Sequence, residues 1–194
     1  MRRARPRSLA ALGLVALLLG PPGRAAEQTL TLDPAATTVE WTLGATLHTV
    51  AGGVRLVEGR VRFDADSGAA SGEIVVDAES ASTGLGLRDR TMHRDVLESG
   101  RYPRIVYRAE RLRVLRRDAA GAEIELEGVL DMHGQQHAIV LPARLAARGG
   151  RIAIETSFRV TYVDWGMQNP STLFLRVDRF VDVRVRSEGT IASP

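Results

Sequence analysis

The chain of 194 residues has no cysteine, no lysine, only nine aromatic residues, and no apolar run long enough to cross a bilayer. Each absence closes off a class of function. Without cysteine there is no disulfide, no thiolate metal site, no cysteine nucleophile and no lipid attached at a cysteine. Without lysine, all 26 positive charges are arginines, and five of them (Arg2, Arg3, Arg5, Arg7 and Arg24) precede Glu27, the first acidic residue. From Glu27 on, 21 arginines face 23 acids, so the formal charge of +3 belongs to the leader. The remainder, at −2, carries no footprint for nucleic acid. The longest apolar run, Leu9 to Leu19, is about a dozen residues against the roughly 20 that a membrane-spanning helix needs.

What that run does fit is a leader. Arginines at the start, the apolar stretch and the small-residue end Gly23-Arg24-Ala25 make the three-part secretory pattern. Residues 1–25 are therefore expected to be a signal peptide cleaved near Ala25 or Ala26. The expected location is periplasmic or secreted, with no stable membrane span after cleavage. Residues 26–194 suit one domain, large enough to bury its own core.

From residue 28 the pattern is period two, the mark of strands with one face buried and the other in water. In Glu123-Ile124-Glu125-Leu126-Glu127 every even position is apolar and every odd one acidic. Ile152, Ile154, Phe158, Val160 and Tyr162 share a face opposite Arg151, Glu155 and Arg159, and Val181, Val183 and Val185 alternate with Asp182, Arg184 and Arg186. Val39, Trp41 and Leu43 do the same early on, as do Ile74 with Val76, and Val57, Val61 and Phe63 against Arg60 and Arg62. Buried parallel strands would instead read as unbroken apolar runs, so the sheet is antiparallel.

Turn formers at Gly52-Gly53, Asp66-Ser67-Gly68, Ala119-Ala120-Gly121, His133-Gly134 and Gly149-Gly150 separate the runs. Strands are expected at 37–48, 53–64, 69–79, 104–116, 122–132, 136–147, 151–163 and 174–188, with a short lead strand near 28–32. The fold class is all-β: an eight-stranded antiparallel up-and-down barrel, with a two-sheet sandwich as the alternative. The charge-rich stretch at 87–97, with Met92, Val96 and Leu97 on one side, reads as a short amphipathic helix on the barrel mouth.

No Gly-x-Ser-x-Gly elbow, phosphate loop, His-Glu-x-x-His helix or strand-borne Gly-x-Gly-x-x-Gly occurs, so neither catalytic residues nor a cofactor is expected. Two other readings stay open. His48, His93, His133 and His137 could gather at the mouth, where three imidazoles would suit zinc and a histidine- or metal-dependent enzyme acting on an amphiphile. A barrel of this size can also simply fill with side chains and serve as a stress-response module without a small ligand. The slender inner face, mostly Val, Leu and Ile, favours a container for an apolar chain.

The run Trp41 to His48, Gly59 to Asp64, Ser71 to Asp77, Arg88-Asp89, Val96-Leu97-Glu98, Tyr102 to Ile105, Gly128 to Gly134 and Trp165-Gly166-Met167 together resemble the YceI-like family of bacterial lipid-binding proteins. That resemblance implies an extended eight-stranded lipocalin-like barrel enclosing a polyisoprenoid or similar amphiphile, such as a quinone-like lipid, and a carrier rather than a catalyst. On this reading the lipid tail lies on Trp41, Leu43, Leu85, Met92, Val96, Phe158, Val160 and Trp165. The head group lies near His48, Arg88, Asp89 and His93. Asp95 to Arg101 and Gly134-Gln135-Gln136-His137 depart from that family's common Asp-Phe-Phe-Asp and Gly-Val-Thr-Lys segments. Those departures bear on the shape of the mouth and the head group it accepts. The solvated exterior, with Glu125, Glu127 and Arg184, is consistent with a monomer, and a homodimer is the alternative.

Overall fold

Alternating side chains turn into cross-strand pairs in the computed structural model, which describes residues 27–46, 48–172 and 175–193. Nine strands form: β1 (Gln28–Leu32), β2 (Thr38–Gly44), β3 (Thr49–Phe63), β4 (Ala69–Ser82), β5 (Arg104–Asp118), β6 (Gly121–Met132), β7 (Gln135–Arg148), β8 (Arg151–Val160) and β9 (Val181–Ala192). Consecutive strands from β3 to β9 pair antiparallel, and both β1 and β2 bridge β3 to β9. β1 takes the far half of that gap (Leu30↔Val61, Leu30↔Ile191) and β2 the near half (Val39↔Val54, Val39↔Val185). They are one barrel position, broken by the 3-10 turn Pro34–Ala36, whose start is capped by the Asp33 carboxylate accepting from the Ala35 N–H at 3.0 Å. Among the described residues nine strands thus close an eight-position barrel, its ladders interrupted only between the mouth-side halves of β7 and β8.

Ladder irregularities reassign several inward positions. Between β3 and β4 the register steps from Leu56↔Val76 to Glu58↔Val75, so Val57 is an extra residue. Plain alternation puts Val57 inside with Val61 and Phe63; the bulge turns it out, 48% exposed, and puts Leu56 inside. β5 likewise steps from Val114↔Ile124 to Arg116↔Glu123, leaving Leu115 outside at 59% exposed. Gly52-Gly53 is not a turn. It lies inside β3 opposite Trp41 and Glu40, and a Cβ on Gly52 would stand 2.2 Å from the Trp41 ring. Glycine is needed there because the indole lies on the backbone. The real turn is closed by the Ala45 N–H donating to the His48 carbonyl.

The last expected strand starts later than alternation suggests. β8 ends at Val160, residues 161–166 turn, and β9 begins at Val181, with Ala45↔Val177 an isolated bridge before it. Between β7 and β8 the ladder covers only Ala143↔Thr156 to Arg148↔Arg151. It stops beside Pro142, which has no N–H to donate. Near the mouth this wall is sealed by side chains instead: His137 of β7 stacks on Trp165 with ring centroids 4.1 Å apart and planes 7° from parallel. The expected mouth helix forms as α1 (Gly86–Thr91) continued by a wide π turn over Met92–Val96. No helix among the described residues is long and apolar enough to cross a membrane.

The outer face carries arginine–acid pairs between neighbouring strands, including Arg108 with Glu73 and Asp131, Arg159 with Asp182, and Arg144 with Glu123. Exposed pairs of this kind contribute about 0–1 kcal/mol each, so they mark a solvated surface more than a source of stability. The core is inside, where Tyr107, Leu130, Val160, Tyr162 and Met167 are buried together.

Candidate functional site

Inside the barrel is a cavity of about 670 Å³ that runs from the mouth helix to the opposite end. That volume is within the range of sites that hold one small ligand. Its walls are the inward aliphatics of every long strand, among them Leu56, Val76, Leu126, Ile139 and Val183, with Phe63 and Leu112 toward the far end. The polar side chains that reach it are few: Thr37, His48, Thr83, Arg88, Thr91, Arg117, Thr156 and Ser187, besides the phenols of Tyr107 and Tyr162. Several are already engaged. The Tyr107 hydroxyl donates to the Leu126 carbonyl at 2.7 Å, the Tyr162 hydroxyl to the Asp178 carbonyl at 2.7 Å, and the hydroxyls of Thr37 and Ser187 lie 2.6 Å apart. Burial pushes the Tyr162 phenol up to about 12 and that of Tyr107 further in the same direction, so both stay neutral hydrogen-bond donors.

Six of the eight expected tail contacts line this cavity: Trp41, Leu43, Met92, Val96, Phe158 and Val160. Leu85 and Trp165 do not. Leu85 is 58% exposed at the start of α1, and Trp165 is half-buried in the wall seal against His137. Of the four head-group residues, His48 and Arg88 reach the cavity and Asp89 and His93 hold the scaffold around it. The Asp89 carboxylate accepts from the Thr83 N–H at 2.8 Å, from the Thr83 hydroxyl and from the Ser82 hydroxyl at 2.8 Å. Thr83 in turn accepts from Arg88: Nε donates to its hydroxyl oxygen at 2.8 Å and Nη2 to its carbonyl at 3.3 Å. The carboxylate thereby fixes the hydroxyl that fixes the guanidinium, and a cation is held at the mouth of an apolar cavity. Thr83, Leu87 and Thr91 complete this rim, and alternation gave no sign of them because they lie outside the strands.

The histidines do not gather. His93 lies 2.9 Å from the Ala81 carbonyl through Nε2 and 2.8 Å from the Ser99 hydroxyl through Nδ1, tying the π turn to β4. His133 meets Glu98 at 3.0 Å and packs on the Tyr102 ring, while His137 stacks on Trp165. Among the described residues no group of three His, Asp or Glu side chains is placed to hold a metal ion.

Hydrogen bonds from Thr83 and Ser82 hold the Asp89 carboxyl below its ordinary value of 3.8. A carboxylate whose pKa is lowered on folding stabilises the fold above its unfolded pKa, and that contribution is lost as pH falls through the folded value. The mouth loop is therefore expected to stay fixed from neutral pH down to about 4 and to loosen only below it. Amide exchange of residues 82–91 followed by acid titration checks this, with Asp89→Asn expected to show the acid pattern already at pH 7.

Comparison with known proteins agrees with this architecture. No curated protein sequence matches. Among solved structures, BcnA of Burkholderia cenocepacia superposes with a TM-score of 0.66 at 15% identity, covering 84% of this chain and 99% of its own. A polyisoprenoid binding domain from Saccharophagus degradans, implicated in plant cell wall breakdown, gives 0.62 at 15% identity over 85% of this chain and 98% of its own. A YceI protein of Campylobacter jejuni gives 0.56 at 16% identity over 77% and 87%. These likenesses concern the fold. The YceI-like domain model matches residues 30–189, from within β1 through the mouth helix and into β9, and on that match the chain belongs to the YceI-like family.

Proposed function

We propose that this protein carries a polyisoprenoid or similar amphiphilic lipid, quinone-like lipids included, as a binding protein rather than an enzyme. Its place would be the periplasm or the exterior, after removal of residues 1–25. The observation that carries the reading is the cavity itself: apolar along its walls and fitted with a positioned arginine at the mouth. Each CH₂ moved from water into such a lining contributes about 0.8 kcal/mol, so a chain of a few isoprene units binds without further specific contacts. Arg88 then sets orientation by donating to an oxygen of the head group. Support from relatives is of the same kind, since the Saccharophagus degradans domain of like fold is a polyisoprenoid binding domain.

Trp41 lines the cavity and Trp165 does not, which supplies a test. Titration with a polyisoprenol should change the intrinsic fluorescence, and Trp41→Phe should remove most of that change while Trp165→Phe leaves it. An unaltered emission over the whole titration, with no ligand retained on gel filtration, would sink the proposal.

Arg88→Met keeps the apolar stem and removes the charged donor. A hydrogen bond to a charged group is worth about 1.5–3 kcal/mol, so affinity for a polyisoprenol should fall roughly 10- to 150-fold, while a hydrocarbon without a head group should be nearly unaffected. Competition binding with the two ligands separates these outcomes.

A further inference from the structure

Two leucines at the mouth face water instead of the core. Leu85 is 58% exposed and Leu87, which also borders the opening of the cavity, is 74% exposed. They flank Gly86 at the start of α1. One turn on, Arg90 is exposed and, among the described residues, has no acidic partner; Arg176 is likewise exposed, and its backbone N–H donates to the Thr46 hydroxyl at 3.0 Å. The acids of the mouth helix and of the turn after β8 are engaged, whereas Asp178, two residues from Arg176, is exposed and has no ion pair among the described residues. Asp89 is turned toward Ser82 and Thr83, Asp95 is clamped by Arg94 through two contacts of 2.6 Å, and Asp164 is paired with Arg179 at 2.8 Å.

We infer that this rim is a docking surface for an anionic lipid bilayer, with Leu85 and Leu87 entering the head-group region and Arg90 and Arg176 meeting phosphates. The inference rests on the carrier reading, because an apolar cargo must pass between bilayer and cavity without crossing water. Two leucines beside an opening are too small a patch for a stable protein partner, which needs about 800 Å² per side. They suit shallow insertion, where apolar contact and attraction to anionic lipid add.

The test uses residues 27–194, which contain every strand of the closed barrel, and vesicles of phosphatidylcholine with or without phosphatidylglycerol. Flotation should carry the protein with the anionic vesicles and far less with pure phosphatidylcholine. Leu85→Asp should weaken the association about tenfold or more, and Arg90→Gln about fivefold with a shallower dependence on salt. Leu115→Asp, at an equally exposed leucine on the barrel wall, should bind vesicles as the parent does. Polyisoprenol binding in solution should be the same in Leu85→Asp as in the parent, because Leu85 does not line the cavity. Vesicle binding that is absent in the parent, or unchanged in Leu85→Asp, overturns the docking surface while leaving the carrier reading to its own titration. Docking without any polyisoprenol uptake does the reverse.

Discussion

Combining Ala143→Phe with Val183→Phe is expected to lower lipid retention by about a hundredfold while leaving the barrel folded. Both residues line the cavity, on β7 and β9. Their enlarged side chains have open space to enter, so the usual cost of overpacking a filled core does not apply. Two phenyl rings displace several methylene groups of any bound chain. Three to four CH₂ lost from the lining at about 0.8 kcal/mol each is roughly 2.5–3 kcal/mol, or about two orders of magnitude in affinity. The melting temperature of the ligand-free protein should hold or rise, since burying a phenylalanine is itself favourable by about 1.5–3 kcal/mol. A thermal melt paired with the polyisoprenol titration reads both effects. Loss of stability with no loss of binding would mean that these side chains do not reach a hollow interior.

The second large effect falls on the fold. A Cβ on Gly128 would stand 2.1 Å from the Arg108 carbonyl oxygen and 2.8 Å from the Tyr107 hydroxyl, and Gly128 pairs with Ala109 in the β5–β6 ladder. Backbone cannot yield as a flexible side chain can. Gly128→Val must part the two strands or expel the Tyr107 ring, which is buried and bonded to the Leu126 carbonyl. The expected loss is about 3 kcal/mol, at the upper end for overpacking, read as a lower denaturant midpoint. Tyr107→Phe, which keeps the ring and removes only the hydroxyl, should cost about 1 kcal/mol by removing the bond to the Leu126 carbonyl. Equal midpoints for the two variants would show that the close approach at Gly128 is unimportant.

Much of this architecture was legible because antiparallel strands with one wet face write themselves as alternation, and Glu123 to Met132 does so with a break only at Gly128-Val129. The strand order followed, since short turns leave neighbouring strands little choice but to pair. Bulges were not legible. A single inserted residue such as Val57 or Leu115 reverses the parity of everything beyond it, and nothing in its own side chain announces that it has been turned outward. Glycine misled for a related reason: Gly52 reads as a turn former but stands in a strand to admit the Trp41 ring.

The site was half legible. Wall residues such as Trp41, Phe158 and Val160 follow from strand parity, and Arg88 from its place in the mouth segment. Trp165 looks like a ligand contact because a tryptophan in a turn is unexplained locally. Its partner is His137, on a strand whose ladder with β8 ends beside Pro142, and a gap between strands cannot be read from either strand alone. Asp89 looks like a head-group ligand until the hydroxyls of Ser82 and Thr83 are placed around it. Whether the barrel is hollow depends on how eight staves of slender aliphatics meet across the axis, a property of closure rather than of any segment.

The most direct measurement on the central claim is native mass spectrometry of the protein purified from the cells that make it, paired with organic extraction of the same sample. The account predicts a complex with one lipid of polyisoprenoid type bearing a single polar head, recovered in the extract and missing from the Ala143→Phe, Val183→Phe variant. A bare protein mass in every preparation, with nothing in the extract and no uptake of added polyisoprenol, would contradict it.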